Sequence, residues 1–182
     1  MAWVLQIHRI RQERRAGQSF ARTISKYQVF HDEAKVDDLL GFFVERQGPG
    51  DNSKTGVKEH RRIAAGTYPI STHDGAGNEK YKTIGYAGDS GIGSIPRPCI
   101  RLDETDRRSG ILIHPGNGYL WSIGCFNPAS TMTDASSNIR FSDSRSRVIA
   151  IIDDLKTYLG SSFPRANNRT VPNASIVIKG EP

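Results

Sequence analysis

The chain has 182 residues, 36% of them apolar and 8% aromatic, and a formal net charge of +6. That length fits a single domain, 1–182, and the apolar share can fill a core, which excludes a disordered segment. Two cysteines are too few for a disulfide scaffold of this length, and no run approaches the roughly 20 apolar residues of a membrane span.

In chain order, Trp3, Leu5 and Ile7 alternate with Val4, Gln6 and His8, which predicts a first strand. Residues 1–9 have no basic stretch ahead of an apolar one, so no Sec signal is expected. Arg9, Arg11, Arg14 and Arg15 form the densest basic run. A basic surface suits polyanions such as nucleic acid, anionic lipid or wall polymers, though an ordinary solvated surface has the same composition. No zinc-finger spacing, RNP-like aromatic motif or recognition helix accompanies the run, which speaks against nucleic acid. Residues 20–24 and 27–30 read as a second and third strand, a hairpin closed near Ser25-Lys26. Residues 39–44 form an apolar run suited to a buried strand. Residues 47–58 are loop-like, and Ala65-Gly66-Thr67-Tyr68-Pro69 reads as a turn entering a strand that ends at Ile70.

Residues 85–98 contain Gly85, Gly88, Gly91 and Gly93 and lack the Lys-Ser/Thr ending of a phosphate loop; they suit a flap near a site. Residues 100–102 and 110–114 are short strands. Val148, Ile151, Ile152, Leu155 and Leu159 fall on one helical face, which predicts a helix near 143–159. Ser142, Asp143 and Ser144 are candidate N-caps and Gly160 a stop. Residues 161–174 are polar and read as a loose segment, with residues 175–179 a last edge strand. The fold class is therefore mainly β, a sandwich or partly closed barrel with one amphipathic helix.

The informative stretch runs from Gly110 to Asn127. An apolar strand ends in His114, a Gly-rich loop follows, and eleven residues later Cys125 stands directly after Gly124. A nucleophilic cysteine needs a partner that holds it as thiolate, and an imidazole can do this. Gly124 permits close approach of a substrate, and backbone N–H groups there can face an oxyanion. Asn117 or Ser122 would orient the imidazole. Taken singly, each residue also has a structural explanation: a packed small thiol for Cys125, a hydrogen-bonded strand end for His114. Cys99, between Pro98 and Ile100, reads as packed. His31-Asp32-Glu33 and His73-Asp74 lack metal-ligand spacing, and no metal or cofactor is expected. Glu45, Arg61 and Arg62 are candidates for holding a peptide terminus.

Ser122-Ile123-Gly124-Cys125-Phe126, preceded by Ile113-His114, resembles the catalytic stretch of the L,D-transpeptidases of bacterial cell walls. With Phe43-Val44-Glu45, Arg62 to Ile70 and the Ile-His-Pro-Gly-Asn run through Asn117, the chain resembles an uncharacterised bacterial and phage family with an A-G-T-Y turn before an I-H-x-G-N…G-C site. The resemblance covers about residues 40–160. It implies a mainly β fold and a cysteine peptidase or transpeptidase acting on peptidoglycan stem peptides. Cys125 would be the nucleophile and His114 the base, with Gly124 and Ser122 beside them, and Asn117, Tyr68, Arg62 and Trp121 would contact substrate. The chain departs from the family in three ways. The spacer after His114 is short, Ile123 stands where a His often precedes the Gly-Cys pair, and Phe126-Asn127-Pro128 replaces the usual following Arg. Hydrolysis is therefore expected over transpeptidation. With no Sec signal, the chain would be cytoplasmic when made and reach the periplasm by another route, as a phage lysis factor or as an antibacterial effector with an immunity protein. The alternative is a non-catalytic wall-binding or phage-particle module that retains the fold.

Overall fold

The computed structural model describes residues 2–53, 61–75 and 80–182. In chain order the elements are β1 (Trp3–Glu13), β2 (Arg22–His31), β3 (Ala34–Arg46), β4 (Gly66–Ser71), β5 (Tyr81–Lys82), β6 (Arg97–Pro98), β7 (Ile100–Leu102), β8 (Leu112–Ile113), β9 (Asn127–Ala129), α1 (Phe141–Leu159) and β10 (Thr170–Lys179). Eight strands form one sheet in the order β8-β7-β4-β10-β1-β2-β3-β9, while β5 and β6 pair separately. A parallel bridge between Ile113 and Phe126 joins the two ends of the large sheet. The result is a mainly β fold with a nearly closed, barrel-like sheet and one helix.

β1 and β2 pair antiparallel from Trp3–His31 to Glu13–Arg22, and β2 pairs likewise with β3. The hairpin expected at Ser25-Lys26 does not exist; β2 runs straight through it. Ser25 is buried opposite Phe43 and its hydroxyl donates to the Glu45 carboxylate at 3.4 Å, so its polarity serves the interior and not a turn. The chain reverses instead at Asp32 and Glu33, whose φ values of 46° and 73° match the two central positions of a type I′ hairpin.

Residues 175–179 are not an edge strand. β10 lies between β4 and β1, antiparallel to the first and parallel to the second. Ile176 and Ile178 fill the core from this central position. The preceding polar segment is ordered by its own side chains. Asn167 exchanges hydrogen bonds with the backbone of Ile84, accepting at 3.0 Å and donating at 2.9 Å, and Asn168 Nδ2 donates to the Asp74 carbonyl at 3.0 Å. Amide side chains that mimic backbone partners look like loop composition in a sequence.

The main core joins Trp3, Leu5 and Ile7 of β1 to Tyr27, Val29, Phe43, Ile70, Ile100, Ile113, Phe126 and Ile176. The helix adds Val148, Ile151, Ile152 and Leu155, all fully buried. It begins two residues earlier than its cap-like residues suggest, at Phe141 after Arg140, with no side-chain cap. Asp143 and Ser144 are committed elsewhere: Asp143 Oδ2 accepts the Ser130 amide at 2.8 Å and Ser144 Oγ accepts the Gly116 amide at 3.0 Å. Gly160, at φ 54°, ends the helix.

One end of the interior is ionic. A bulge between Arg9 and Arg11 in β1 keeps Arg9 inside, where its guanidinium grips the buried Glu45 carboxylate bidentately at 2.7 and 3.0 Å. Arg9 also donates to the Ile63 carbonyl and to Glu181, and Glu181 accepts a second guanidinium, from Arg62, at 2.7 Å. Glu45, a candidate for holding a peptide terminus, is committed to this network. Glu45→Gln leaves the buried Arg9 guanidinium with only the half-exposed Glu181 carboxylate, so it should cost roughly 3–5 kcal/mol in urea unfolding. The double replacement Arg9→Met with Glu45→Leu should recover most of that loss. A Glu45→Gln loss below about 1 kcal/mol, the level of an exposed pair, would contradict this placement.

Candidate active site at the barrel seam

At the seam the Phe126 amide donates to the Leu112 carbonyl at 2.8 Å and the His114 amide to the Phe126 carbonyl at 3.0 Å. The paired residues Ile113 and Phe126 both point into the core. Side chains alternate along extended backbone, so their neighbours turn the other way. Leu112 and His114 on one side, and Cys125 and Asn127 on the other, therefore share the outer face. His114 and Cys125 are diagonal neighbours there, with no hydrogen bond between thiol and imidazole among the described residues.

The turn before Cys125 is fixed by Ser122, whose hydroxyl donates to the Cys125 carbonyl at 2.7 Å, while Arg46 Nε donates to the Ser122 carbonyl at 2.9 Å. Ser122 thus holds the Cys125 backbone and makes no hydrogen bond to the imidazole among the described residues. The Cys125 sulfur accepts the Leu112 amide at 3.3 Å and donates to the Gly110 carbonyl at 3.5 Å. The Gly124 and Cys125 amides have no acceptor among the described residues, so both are available to an oxyanion.

His114 is 4% exposed. Its Nδ1 lies 2.8 Å from the Pro115 carbonyl, an acceptor only, so Nδ1 carries the proton and Nε2 keeps its lone pair. Nε2 makes no hydrogen bond among the described residues. Asn127, with Nδ2 donating to the His114 carbonyl at 3.0 Å and lying 3.3 Å from Nδ1, is the side chain that accompanies the imidazole. The Tyr81 ring packs over it, centroids 4.5 Å apart.

Burial pushes the His114 imidazole down to about 4; the Pro115 carbonyl opposes this and the Arg97 charge adds to it. Burial pushes the Cys125 thiol up to about 11, opposed by the Leu112 N–H and the Arg108 charge. The residue is partly exposed at its surface, but its sulfur sits among Leu112 and Gly110. The unliganded pair is therefore thiol and neutral imidazole, a correction to the thiolate expected from the spacing. Cys99 is fully buried and its thiol is raised further by burial, while the Thr83 hydroxyl donates to its carbonyl at 2.7 Å.

The expected substrate contacts separate. Trp121 is exposed on the turn before Cys125, beside exposed Ile123, and Asn117 is half-buried after His114. Tyr68 is buried in the core, its hydroxyl donating to the Ala64 carbonyl at 2.7 Å and accepting from Asn52 at 2.9 Å. Arg62 is buried and committed to Glu181. Neither presents a free group to a ligand.

Three residues about the site were not anticipated. Asn127 follows Cys125 by two positions, and strand alternation alone would have found it. Tyr81 and Arg108 have no local signal; the fold brings them in. Arg108 lines a groove of about 420 Å³ with Arg101, Asp103 and Gly110, the last of which accepts the Cys125 thiol. A larger groove, about 690 Å³, lies elsewhere, over Gln6, Lys26, Gln28, Leu40 and Phe42 on β1 to β3, and includes neither His114 nor Cys125. No protein-family model, curated protein or solved structure matches the chain significantly.

A histidine buried neutral stabilises the fold above its unfolded value, near 6.5, and that stability is lost as pH falls through its folded value of about 4. His114 should therefore account for about 3 kcal/mol of lost stability between pH 7 and pH 4. Urea unfolding across that range should show a flatter pH dependence for His114→Gln than for wild type. Equal acid slopes would show that the imidazole is not buried as described.

Proposed function

We propose that the chain is a cysteine acyl-transfer enzyme that cleaves peptidoglycan stem peptides, with water as the main acceptor. The observation that carries this reading is the placement of Cys125 and the His114 imidazole on one outer face across the seam bridge, with two unused amides beside the sulfur. The peptidoglycan substrate comes from the resemblance of the Ile-His…Ser-x-Gly-Cys stretch to the L,D-transpeptidases.

In the reaction, the Cys125 S–H proton passes to His114 Nε2 as the sulfur attacks an amide carbonyl carbon. The carbonyl π electrons move to oxygen, and the Gly124 and Cys125 amides receive the oxyanion. Collapse re-forms the carbonyl and breaks the C–N bond. The leaving amine takes the proton from the imidazolium and a thioester remains. Water then attacks the thioester carbonyl, giving its proton to Nε2, and collapse returns that proton to sulfur.

Hydrolysis is favoured over transfer because Phe126 points into the core and Asn127 is buried beside His114, so neither supplies the carboxylate clamp that would help hold an acceptor. A second reading, a wall-binding or phage-particle module, is favoured by the absence of a thiol–imidazole hydrogen bond among the described residues. Among the described residues no helix is long and apolar enough to cross a membrane. Delivery to the periplasm as an effector with an immunity partner, or in phage lysis, suits a wall-directed enzyme.

Digestion of purified peptidoglycan, with products resolved by mass, separates these readings. Wild type should release cleaved stem peptides, and Cys125→Ala should release none. Cross-linked dimers as the main product would replace hydrolysis with transpeptidation. Identical products from both proteins would leave the non-catalytic module.

A further inference from the structure

Arg108 is a cation with an unusual set of partners. It is 3% exposed. Its guanidinium donates to three carbonyls, those of Arg61 at 2.9 Å, Asp51 at 3.1 Å and Arg62 at 3.3 Å, and makes no ion pair with a carboxylate among the described residues. A buried charge without a counter-ion is costly. Carbonyl dipoles satisfy its donors but do not neutralise it.

The guanidinium also touches the nucleophile's turn. A Cβ on Gly124 would lie 2.4 Å from Arg108 Nη2, so glycine at this position is what lets the charge approach the residue before Cys125. The turn that carries Arg108 is held by the Thr105 hydroxyl, which donates to the Arg108 carbonyl. It places Glu104 (φ 53°) and Asp106 (φ 54°) in the left-handed region, a conformation that costs non-glycine residues energy. Backbone strain and a buried cation are thus both spent on delivering one guanidinium to Gly124.

We propose that Arg108 is a positioning residue for Cys125: its guanidinium is the resident counter-charge for the sulfur anion formed during reaction. The proposal rests on reading Cys125 as a nucleophile. It assigns the two partners different work, with His114 moving the proton and Arg108 holding the charge. The charged group acting on the sulfur is Arg108; the sulfur in turn acts on the buried Cys99 thiol, just before β7, and Asp51 acts on Arg108.

Alkylation by iodoacetamide tests this without any wall substrate. The Cys125 thiolate displaces iodide, an S–C bond replaces the C–I bond, and the thiol proton goes to buffer. Rates are followed against pH in the full chain, with the adduct mapped by mass to Cys125 or Cys99. An opposite charge at close range shifts a thiol by a unit or more, so Arg108→Met should slow Cys125 labelling at neutral pH by about tenfold or more and move its pH midpoint upward. Arg108→Lys should remain within about threefold of wild type, since it keeps the charge. Gly124→Ala, which pushes the guanidinium aside without removing it, should move the midpoint in the same direction and serves if Arg108→Met does not fold. An unchanged midpoint in a folded Arg108→Met or Gly124→Ala protein overturns the proposal. A shifted midpoint with no wild-type cleavage of peptidoglycan would leave Arg108 in this role and remove the substrate assignment instead.

Discussion

Two backbone hydrogen bonds, between Phe126 and Leu112 and between His114 and Phe126, hold the seam on which the site depends. Seven of the eight strand junctions needed to close the barrel are ladders within the sheet; the eighth is this single bridge. Without it, β8 and β9 would be sheet edges with unpaired donors and acceptors. With it, Ile113 and Phe126 lock into the core, and the orientation of four outer residues follows from strand alternation. Cys125 and His114 share one face because the barrel closes there, as diagonal neighbours across the seam bridge.

The same closure sets their charge states. Leu112, His114 and Asn127 are buried although they face outward, and Tyr81 of the small β5–β6 pair lies over the imidazole. Burial disfavours both imidazolium and thiolate, which pushes the pair toward its neutral form. Arg108 works against that trend on the sulfur side alone. Elsewhere in the interior charge is matched: Arg9 pairs with the buried Glu45, and Arg9 and Arg62 share the half-exposed Glu181 carboxylate. Matched pairs are committed to the fold; Arg108 is held by carbonyls, with no carboxylate bonded to it among the described residues.

Much of this was legible in the sequence where patterns are local. The alternation of Trp3, Leu5 and Ile7, the helical face from Val148 to Leu155, and the Gly-Cys turn each report themselves within a few residues. The middle of β2 did not, because Ser25 faces an ionic interior whose existence depends on Arg9 and Glu45. β10 reads as an edge strand because its neighbours, β1 and β4, are far away in sequence. The polar residues before it read as loose because Asn167 and Asn168 complete backbone hydrogen bonds of remote segments. Cys125, His114, Gly124 and Ser122 lie about the seam bridge, as their closeness in sequence suggests. Tyr68 and Arg62 were drawn from a motif that turns out to build the core and the ionic end. Arg108 carries no motif; only the close approach permitted by Gly124 reveals it.

The seam is the claim on which the rest stands, and amide hydrogen exchange measured residue by residue by NMR reads it directly. The His114 and Phe126 amides are the two donors of the bridge. If the bridge closes the barrel as described, both should be protected and open only with the sheet, with opening free energies close to those of Leu5 and Ile7 in β1. Exchange of both amides at the rate of the exposed turn around Ile123 would mean that the barrel is open at this edge, and that Cys125 and His114 are not held on a common face.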